Sequence, residues 1–137
     1  MKKTELFFPF EPKPKGRPRV TKKGHAYTPQ KTRDYEKLIS EYYKENTTDF
    51  YEGAVKISLV FYMPIPKSVS KKKREMMSSG EIRCTTHTGD IDNLCKAVTD
   101  SLNGIAYTDD CLITELRAKK KYGVNVGTEM TISEDVD

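Results

Sequence analysis

The strongest constraint on this chain is the segment 89–110, in which aspartates flank a short helical pattern on both sides. Asp90 and Asp92 come before the pattern, and Asp109 and Asp110 follow it. Carboxylates placed close together repel one another unless a cation binds between them. The chain as a whole is basic, with a formal net charge of +4. A basic protein that concentrates acids at one point is suited to holding metal ions against a polyanion, which suggests a metal-dependent nuclease.

The composition favours one small globular domain. The chain has 137 residues, of which 36% are hydrophobic and 32% charged, so we expect a single domain over 1–137 with a modest core. A core of this size is often supplemented by oligomerisation. The three cysteines have no C-x-x-C spacing and predict neither a disulfide framework nor a zinc site, which fits a reduced, cytoplasmic setting. The apolar run 6–10 is too short for a signal peptide, and no stretch is long enough to span a membrane.

Two segments have the apolar spacing of helices. The first begins at Thr28-Pro29, where a capping hydroxyl precedes proline at the first helical position, and runs to about Asn46. Its apolar stripe consists of Tyr35, Leu38, Ile39, Tyr42 and Tyr43. The second begins near Asp90 or Asp92 and ends at Asn103-Gly104. Its apolar face consists of Ile91, Leu94, Val98 and Leu102.

The remaining segments predict strands and one ambiguous basic stretch. Alternating apolar residues predict strands over 54–63, 112–122 and 129–134, and the proline-terminated run 5–10 predicts an edge strand. Lys23-Gly24 indicates the turn of a β-ribbon, and 67–80 is either a short basic helix or a lysine-rich arm. This order predicts an α/β or α+β fold, with a small mixed β-sheet and two main helices.

Two interpretations of the acidic residues remain open. Asp92, Lys96 and Asp100 are spaced i, i+4, i+8, so on a helix they could form only an exposed ladder of ion pairs. Asp109-Asp110, between a helix stop and a strand, favours a cation site instead. Mg²⁺ takes a few carboxylates and completes its shell with water and phosphate, and Lys96 would face the same phosphate.

The segment 89–110 closely resembles the signature of RusA-type Holliday junction resolvases: D-x-D-N-x-x-K, a helix end with D-x-L-N-G, and a closing D-D. The stretches 13–19, 26–29 and 70–82 also resemble Gram-positive and phage-type members, so the resemblance covers nearly the whole chain. It implies a homodimer that cleaves four-way DNA junctions with Mg²⁺ or Mn²⁺, in recombination and repair, with no organic cofactor.

The resemblance also implies roles for individual residues. The catalytic acids and metal ligands would be Asp90, Asp92 and Asp110, with Asp109 as a secondary or alternative ligand, and the catalytic lysine would be Lys96. Asp100 is better placed for an ion pair with Lys96 than for metal. The family usually has a basic residue and proline just before the first aspartate, whereas this chain has His87-Thr88-Gly89; His87 is either a replacement phosphate contact or a surface residue.

Two lysine- and arginine-rich segments are candidate DNA contacts, and the bland alternative for each is a solvated surface. The predicted phosphate contacts are Lys13, Lys15, Arg17, Arg19, Lys71, Lys72, Lys73 and Arg74. Their charge would position DNA without reading its sequence. Two other functions fit the same residues: a nuclease of looser branched or flap specificity, and a non-catalytic protein that binds branched DNA.

Overall fold

The protein combines a mixed β-sheet with three helices. The computed structural model describes residues 2–16, 19–85 and 89–136. Its helices are α1 (Gln30–Asn46), α2 (Lys71–Ser78) and α3 (Ile91–Ser101). Its strands are β1 (Lys3–Phe8), β2 (Arg19–Val20), β3 (Ala26–Tyr27), β4 (Val55–Met63), β5 (Ile113–Tyr122) and β6 (Gly127–Glu134). The predicted α+β class is confirmed.

The four longer strands form one sheet in the order β1-β6-β4-β5. β5 runs parallel to β4, and the other two pairs are antiparallel. The predicted edge strand at the N-terminus is confirmed as β1, and the predicted ribbon is confirmed as the antiparallel pair β2–β3. Gly24 adopts a positive φ of 83° in the ribbon turn, a conformation that glycine reaches without steric cost.

α1 differs from the prediction at its start and on its buried face. Pro29, not Thr28, holds the N-cap position, and no side chain caps the helix, so the predicted hydroxyl cap is wrong. The buried residues of α1 are Thr32, Tyr35, Ile39 and Tyr43. Leu38 is nearly half exposed, because the buried stripe runs through positions three and four residues apart and leaves Leu38 at its margin.

The ambiguous basic stretch is a helix, so the described residues contain three helices where two main ones were expected. The side chain of Ser70 accepts a hydrogen bond of 3.2 Å from the backbone N–H of Lys73 and caps α2. Met77 is the buried residue that anchors α2 to the domain, and Gly80 follows the helix with a φ of 89°.

α3 is the most deeply buried helix and therefore a rigid base for the acidic residues that it carries. Leu94, Ala97, Val98 and Leu102 are fully buried, in the same core as the inward face of β4. Truncating such a leucine typically costs about 2–5 kcal/mol. Ile91 was predicted on the apolar face but is 39% exposed, because it lies in the first turn, beyond the packed core. In the described part of the chain, no helix has the length and apolar character needed to cross a membrane.

Candidate active site

Two free carboxylates lie at the N-terminal end of α3. Asp90 holds the N-cap position with extended backbone, and its carbonyl accepts the N–H of Leu94 at 3.0 Å, yet its side chain makes no capping bond. Asp92 lies in the first turn, and both side chains are exposed. Within the described ranges, neither carboxylate has a hydrogen bond or an ion pair. The positive end of the helix dipole stabilises their charges and leaves their oxygens available to a ligand.

The segment before α3 is held by contacts that the sequence did not suggest. Lys120 of β5 donates from Nζ to the carbonyl of Gly89 at 2.9 Å. The backbone N–H of Lys15 donates to the carbonyl of Asn93 at 2.9 Å, so the proline-rich segment lies against the first turn of α3. A Cβ at Gly89 would lie 3.1 Å from Leu94, closer than ordinary contact. The position of Asp90 is therefore fixed from β5 and from the proline-rich stretch that follows β1, residues 9–16 as described, which we call the N-terminal segment.

The chain turns back after α3 and carries the second acidic pair toward it. Gly104, with a φ of 75°, donates its N–H to the carbonyl of Tyr107 at 2.7 Å. Tyr107 is fully buried and donates its hydroxyl to the carbonyl of Thr99 at 2.6 Å. This turn brings the carboxylate of Asp110 close to that of Asp100, in the C-terminal half of α3, and not into a cluster with Asp90 and Asp92 among the described residues.

Asp109 and Asp110 have different local roles. The side chain of Asp109 accepts the N–H of Cys111 at 3.2 Å and caps the single 3-10 turn Asp110–Leu112. Hydrogen bonds from Cys111 lower the pKa of the Asp109 carboxyl. Burial raises the pKa of Asp110, and the charges of Asp109 and Asp100 raise it further, although Lys96 opposes them. Asp110 therefore lies in a negative environment that a cation would relieve.

Asp100 is the centre of a chain of ion pairs. Its Oδ2 lies 3.3 Å from Nζ of Lys96 and 3.4 Å from Nζ of Lys15, and Lys15 also pairs with Glu36 of α1 at 2.7 Å. The side chains of Lys15 and Asp100 are 19% and 17% exposed, whereas that of Lys96 is 59% exposed. Burial alone would lower the pKa of Lys15, but the hydrogen bond and charge of Glu36, with help from Asp100, raise it.

The donor chemistry fits a hard cation such as Mg²⁺, but the acids do not form a closed cage. Among the described residues, no group of three or more His, Cys, Asp or Glu side chains could hold a metal ion. Mg²⁺ commonly uses one or two carboxylates and fills its other positions with water and phosphate, so a closed cage is not required. Burial and the charge of Asp92 raise the pKa of the Cys95 thiol to about 11, which keeps it protonated and unsuited to act as a nucleophile or ligand at neutral pH.

The predicted DNA contacts fall into two groups. Lys13 pairs with Glu11, and Lys15 is enclosed by Glu36 and Asp100, so both lysines of the N-terminal segment have acidic partners. Arg17 lies outside the described residues, as does His87, and the backbone of Arg19 pairs with Tyr27 in the ribbon.

The lysines of α2 contrast with those of the N-terminal segment. The side chains of Lys71, Lys72 and Lys73 are exposed and have no ion pair within the described ranges, whereas Arg74 donates to the carbonyl of Pro66 at 3.3 Å. Among the described side chains, the lysines of α2 are therefore more available to DNA phosphates than Lys13 and Lys15.

The chain matches a protein-family model described as "Endodeoxyribonuclease RusA" over residues 9–133. It belongs to the RusA endodeoxyribonuclease family. The resemblance seen in the central motif is thereby confirmed, and membership supports a nuclease that acts on DNA. The chain is also similar to the uncharacterized protein YqaN of Bacillus subtilis (strain 168), with 36% identity over 132 residues that cover 90% of this chain and 91% of that protein.

Proposed function

We propose that the protein is a Mg²⁺-dependent endodeoxyribonuclease that resolves Holliday junctions by paired symmetric nicks, in DNA recombination and repair. The observation that carries this proposal is the pair of free carboxylates, Asp90 and Asp92, at the positive end of α3 with Lys96 one turn further on. Membership of the RusA endodeoxyribonuclease family supports the reaction class.

The side chains of this site have different roles in hydrolysis. When bound, Mg²⁺ or Mn²⁺ supplies an activated water and offsets charge on the departing oxygen. Asp90 and Asp92 would hold the cation, and the resemblance to the family adds Asp110, which lies beside Asp100, as a third acid. Lys96 places its ammonium toward the scissile phosphate and stabilises the charge that develops there. In each cut, water adds to phosphorus, and one sugar oxygen leaves and takes up a proton.

The nuclease acts as a homodimer, because two opposing strands of a two-fold junction require two sites related by a two-fold axis. The surface that a second copy would cover includes the edge strand β5, which pairs only with β4 in the described sheet. Leu116 of β5 is 46% exposed, although it pairs with the buried Ile57 and so lies on the core side of the sheet. Covering an exposed leucine of this kind stabilises an interface.

A matched pair of variants tests the dimer. Leu116→Glu should shift the mass in solution from about twice 15.7 kDa to that of one chain. Leu38→Glu places the same charge on a leucine of nearly the same exposure, on α1, and should leave the dimer intact. Light scattering that finds a monomeric wild type, or a dimer unaffected by Leu116→Glu, would contradict this interface.

The reaction itself is tested with a set of labelled DNAs: a four-way junction, a flap, a duplex and single strands, each with Mg²⁺ or with EDTA. The proposal expects paired cuts in opposing junction arms, with Mg²⁺ only. Equal cutting of flaps would support the looser nuclease instead.

A second candidate is a non-catalytic protein that binds branched DNA. The exposed lysines of α2 suit such a protein, because they could bind DNA phosphates whether or not a cation is held, but the presence of Asp90, Asp92 and Lys96 argues against it. Tight junction binding without cleavage in either Mg²⁺ or Mn²⁺ would support that candidate and contradict the nuclease.

A further inference from the structure

We propose that Asp100 is a positioning residue, which holds the ammonium of Lys96 in place for the scissile phosphate. The inference rests on the proposed nuclease function. Its basis is the shared oxygen of Asp100, Oδ2, which lies 3.3 Å from Nζ of Lys96 and 3.4 Å from Nζ of Lys15.

The two lysines on this oxygen differ in how they are held. The side chain of Lys15 is mostly buried, and it is fixed by Glu36 at 2.7 Å and by its own backbone bond to Asn93. The side chain of Lys96 is 59% exposed, and Asp100 is its only ion-pair partner within the described ranges. Lys15 thus anchors Asp100 from the protein side, and Asp100 in turn restrains Lys96 on the solvent side, where DNA would lie.

Contacts between the N-terminal segment and α1 hold Lys15 in place. The N–H of Gly16 donates to the hydroxyl of Thr32 at 3.1 Å, and a Cβ at Gly16 would lie only 2.6 Å from that oxygen. Gly16 therefore permits a close approach to α1 that places Lys15 between Glu36 and Asp100. The N-terminal segment and α1 thus meet at Lys15, and Lys15 in turn contacts Asp100 of α3.

An orienting contact of this kind matters because a lysine side chain has four rotatable bonds. An ammonium that must find its place in each catalytic cycle loses part of its stabilising effect on the transition state, whereas a preorganised one retains it. An isolated i, i+4 ion pair on a helix surface has no such consequence and contributes little to stability. Cleavage should therefore slow when Asp100 is changed if it positions Lys96, and should not change if the two residues form only a surface ion pair.

The test is a cycle of single and double variants in single-turnover junction cleavage with Mg²⁺. Asp100→Asn keeps the shape of the side chain and removes its charge, so cleavage should slow by about tenfold, equivalent to about 1.4 kcal/mol. Junction affinity should stay the same or tighten, since a negative charge is lost near DNA. Glu41→Gln is the matched control, because it removes the acid of another i, i+4 pair, Lys37–Glu41, on α1.

The double variant separates positioning from a structural role. If Asp100 acts through Lys96, then Asp100→Asn should cause no further slowing in a Lys96→Ala background. Slowing that multiplies with that of Lys96→Ala would overturn the inference, as would a wild-type rate for Asp100→Asn. If Asp100→Asn does not fold, Asp100→Glu decides: it keeps the charge but moves it by one methylene, and should slow cleavage only while Lys96 is present.

Failure of this inference is distinguishable from failure of the proposed function. A wild-type protein that cuts no junction with any divalent cation would contradict the nuclease itself. A wild-type protein that cuts, together with Asp100 variants that cut equally fast, would contradict only the role of Asp100.

Discussion

The two ends of α3 carry acids in opposite situations. At the N-terminal end, Asp90 and Asp92 are exposed and have no partner in the described structure, whereas at the C-terminal end Asp100 is mostly buried and shared by two lysines. Folding gains nothing from the first pair beyond a favourable helix dipole, whereas it gives Asp100 two ion-pair partners. Acids that the fold leaves unpaired are available to a ligand, whereas Asp100, held between two lysines, is suited to positioning Lys96.

The largest effect should follow from a change at the free end. Asp92→Asn should lower cleavage on the order of a hundredfold or more, because it removes a hard oxygen ligand. Junction binding should persist or tighten, since one repulsive charge is gone. Asp34→Asn removes the same charge from an exposed position of α1 and should cleave normally. Substantial cleavage by Asp92→Asn in the same assay would reject this metal ligand.

Lys96 lies between the two ends, and its loss should have the next largest effect. Lys96→Ala should slow cleavage on the order of a hundredfold, as loss of a single charge stabiliser does. Lys96→Arg should recover the rate poorly, because a guanidinium is a broad planar fork and not a compact charge. A folded Lys96→Ala variant that cuts at the wild-type rate would reduce Lys96 to an ion-pair partner of Asp100.

The lysines of α2 and Lys15 show the same contrast as the acids of α3, between charges without an ion-pair partner in the described structure and charges that have one. Changing Lys71, Lys72, Lys73 and Arg74 together to Ser should weaken junction binding and flatten the slope of log affinity against log salt by roughly two to four units, since each phosphate contact contributes about 0.9. Lys15→Met should leave that slope unchanged, because Lys15 is occupied by Glu36 and Asp100. Fluorescence anisotropy over a salt series measures both variants. An unchanged slope for the α2 variant would contradict phosphate contacts by α2, and a flattened slope for Lys15→Met would show that Lys15 contacts DNA.

The smallest effect should come from Asp110, and it concerns how the free energy of unfolding of the protein depends on pH. Because folding raises its pKa, the folded state binds this proton more tightly than the unfolded state, so stability falls as pH rises from the ordinary carboxyl value of 3.8 through the folded value. In metal-free buffer, Asp110→Asn should therefore raise the free energy of unfolding at pH 7, by less than about 1 kcal/mol after solvent screening. The gain should vanish in acid, as denaturant titrations at several pH values would report. A loss of stability at pH 7 would contradict the raised pKa.

The sequence predicted much of this arrangement because its signals are local. The helix stop at Gly104, the aspartates at the start of α3 and the alternation in β4 each depend on residues a few positions apart. The exposure of Ile91 was not predicted, because periodicity assigns a residue to a helix face but does not show where the packed core ends. Asp109 and Asp110 are adjacent and alike in sequence, yet a local cap engages only the first.

The parts that sequence could not supply depend on contacts between distant segments. No spacing rule joins Lys15 to Asp100, or Lys120 to the carbonyl of Gly89, because each pair meets only after the sheet and helices have packed. Lys15 lies in a basic stretch that predicts DNA contact, and its partners are visible only in three dimensions. The signal that was available for Asp100 was its i, i+4 spacing from Lys96, which predicted their ion pair correctly.

The most direct test of the contrast within α3 counts bound Mn²⁺ by electron paramagnetic resonance, with junction DNA present and the Mn²⁺ held by DNA alone subtracted. Wild type and Asp100→Asn should hold the same additional Mn²⁺, because Asp100 serves Lys96 and not the cation. Asp92→Asn should lose it, because a free carboxylate at the start of α3 is a ligand. Equal Mn²⁺ in all three proteins, or its loss in Asp100→Asn alone, would contradict the division between an end of α3 that binds the cation and an end that positions the lysine.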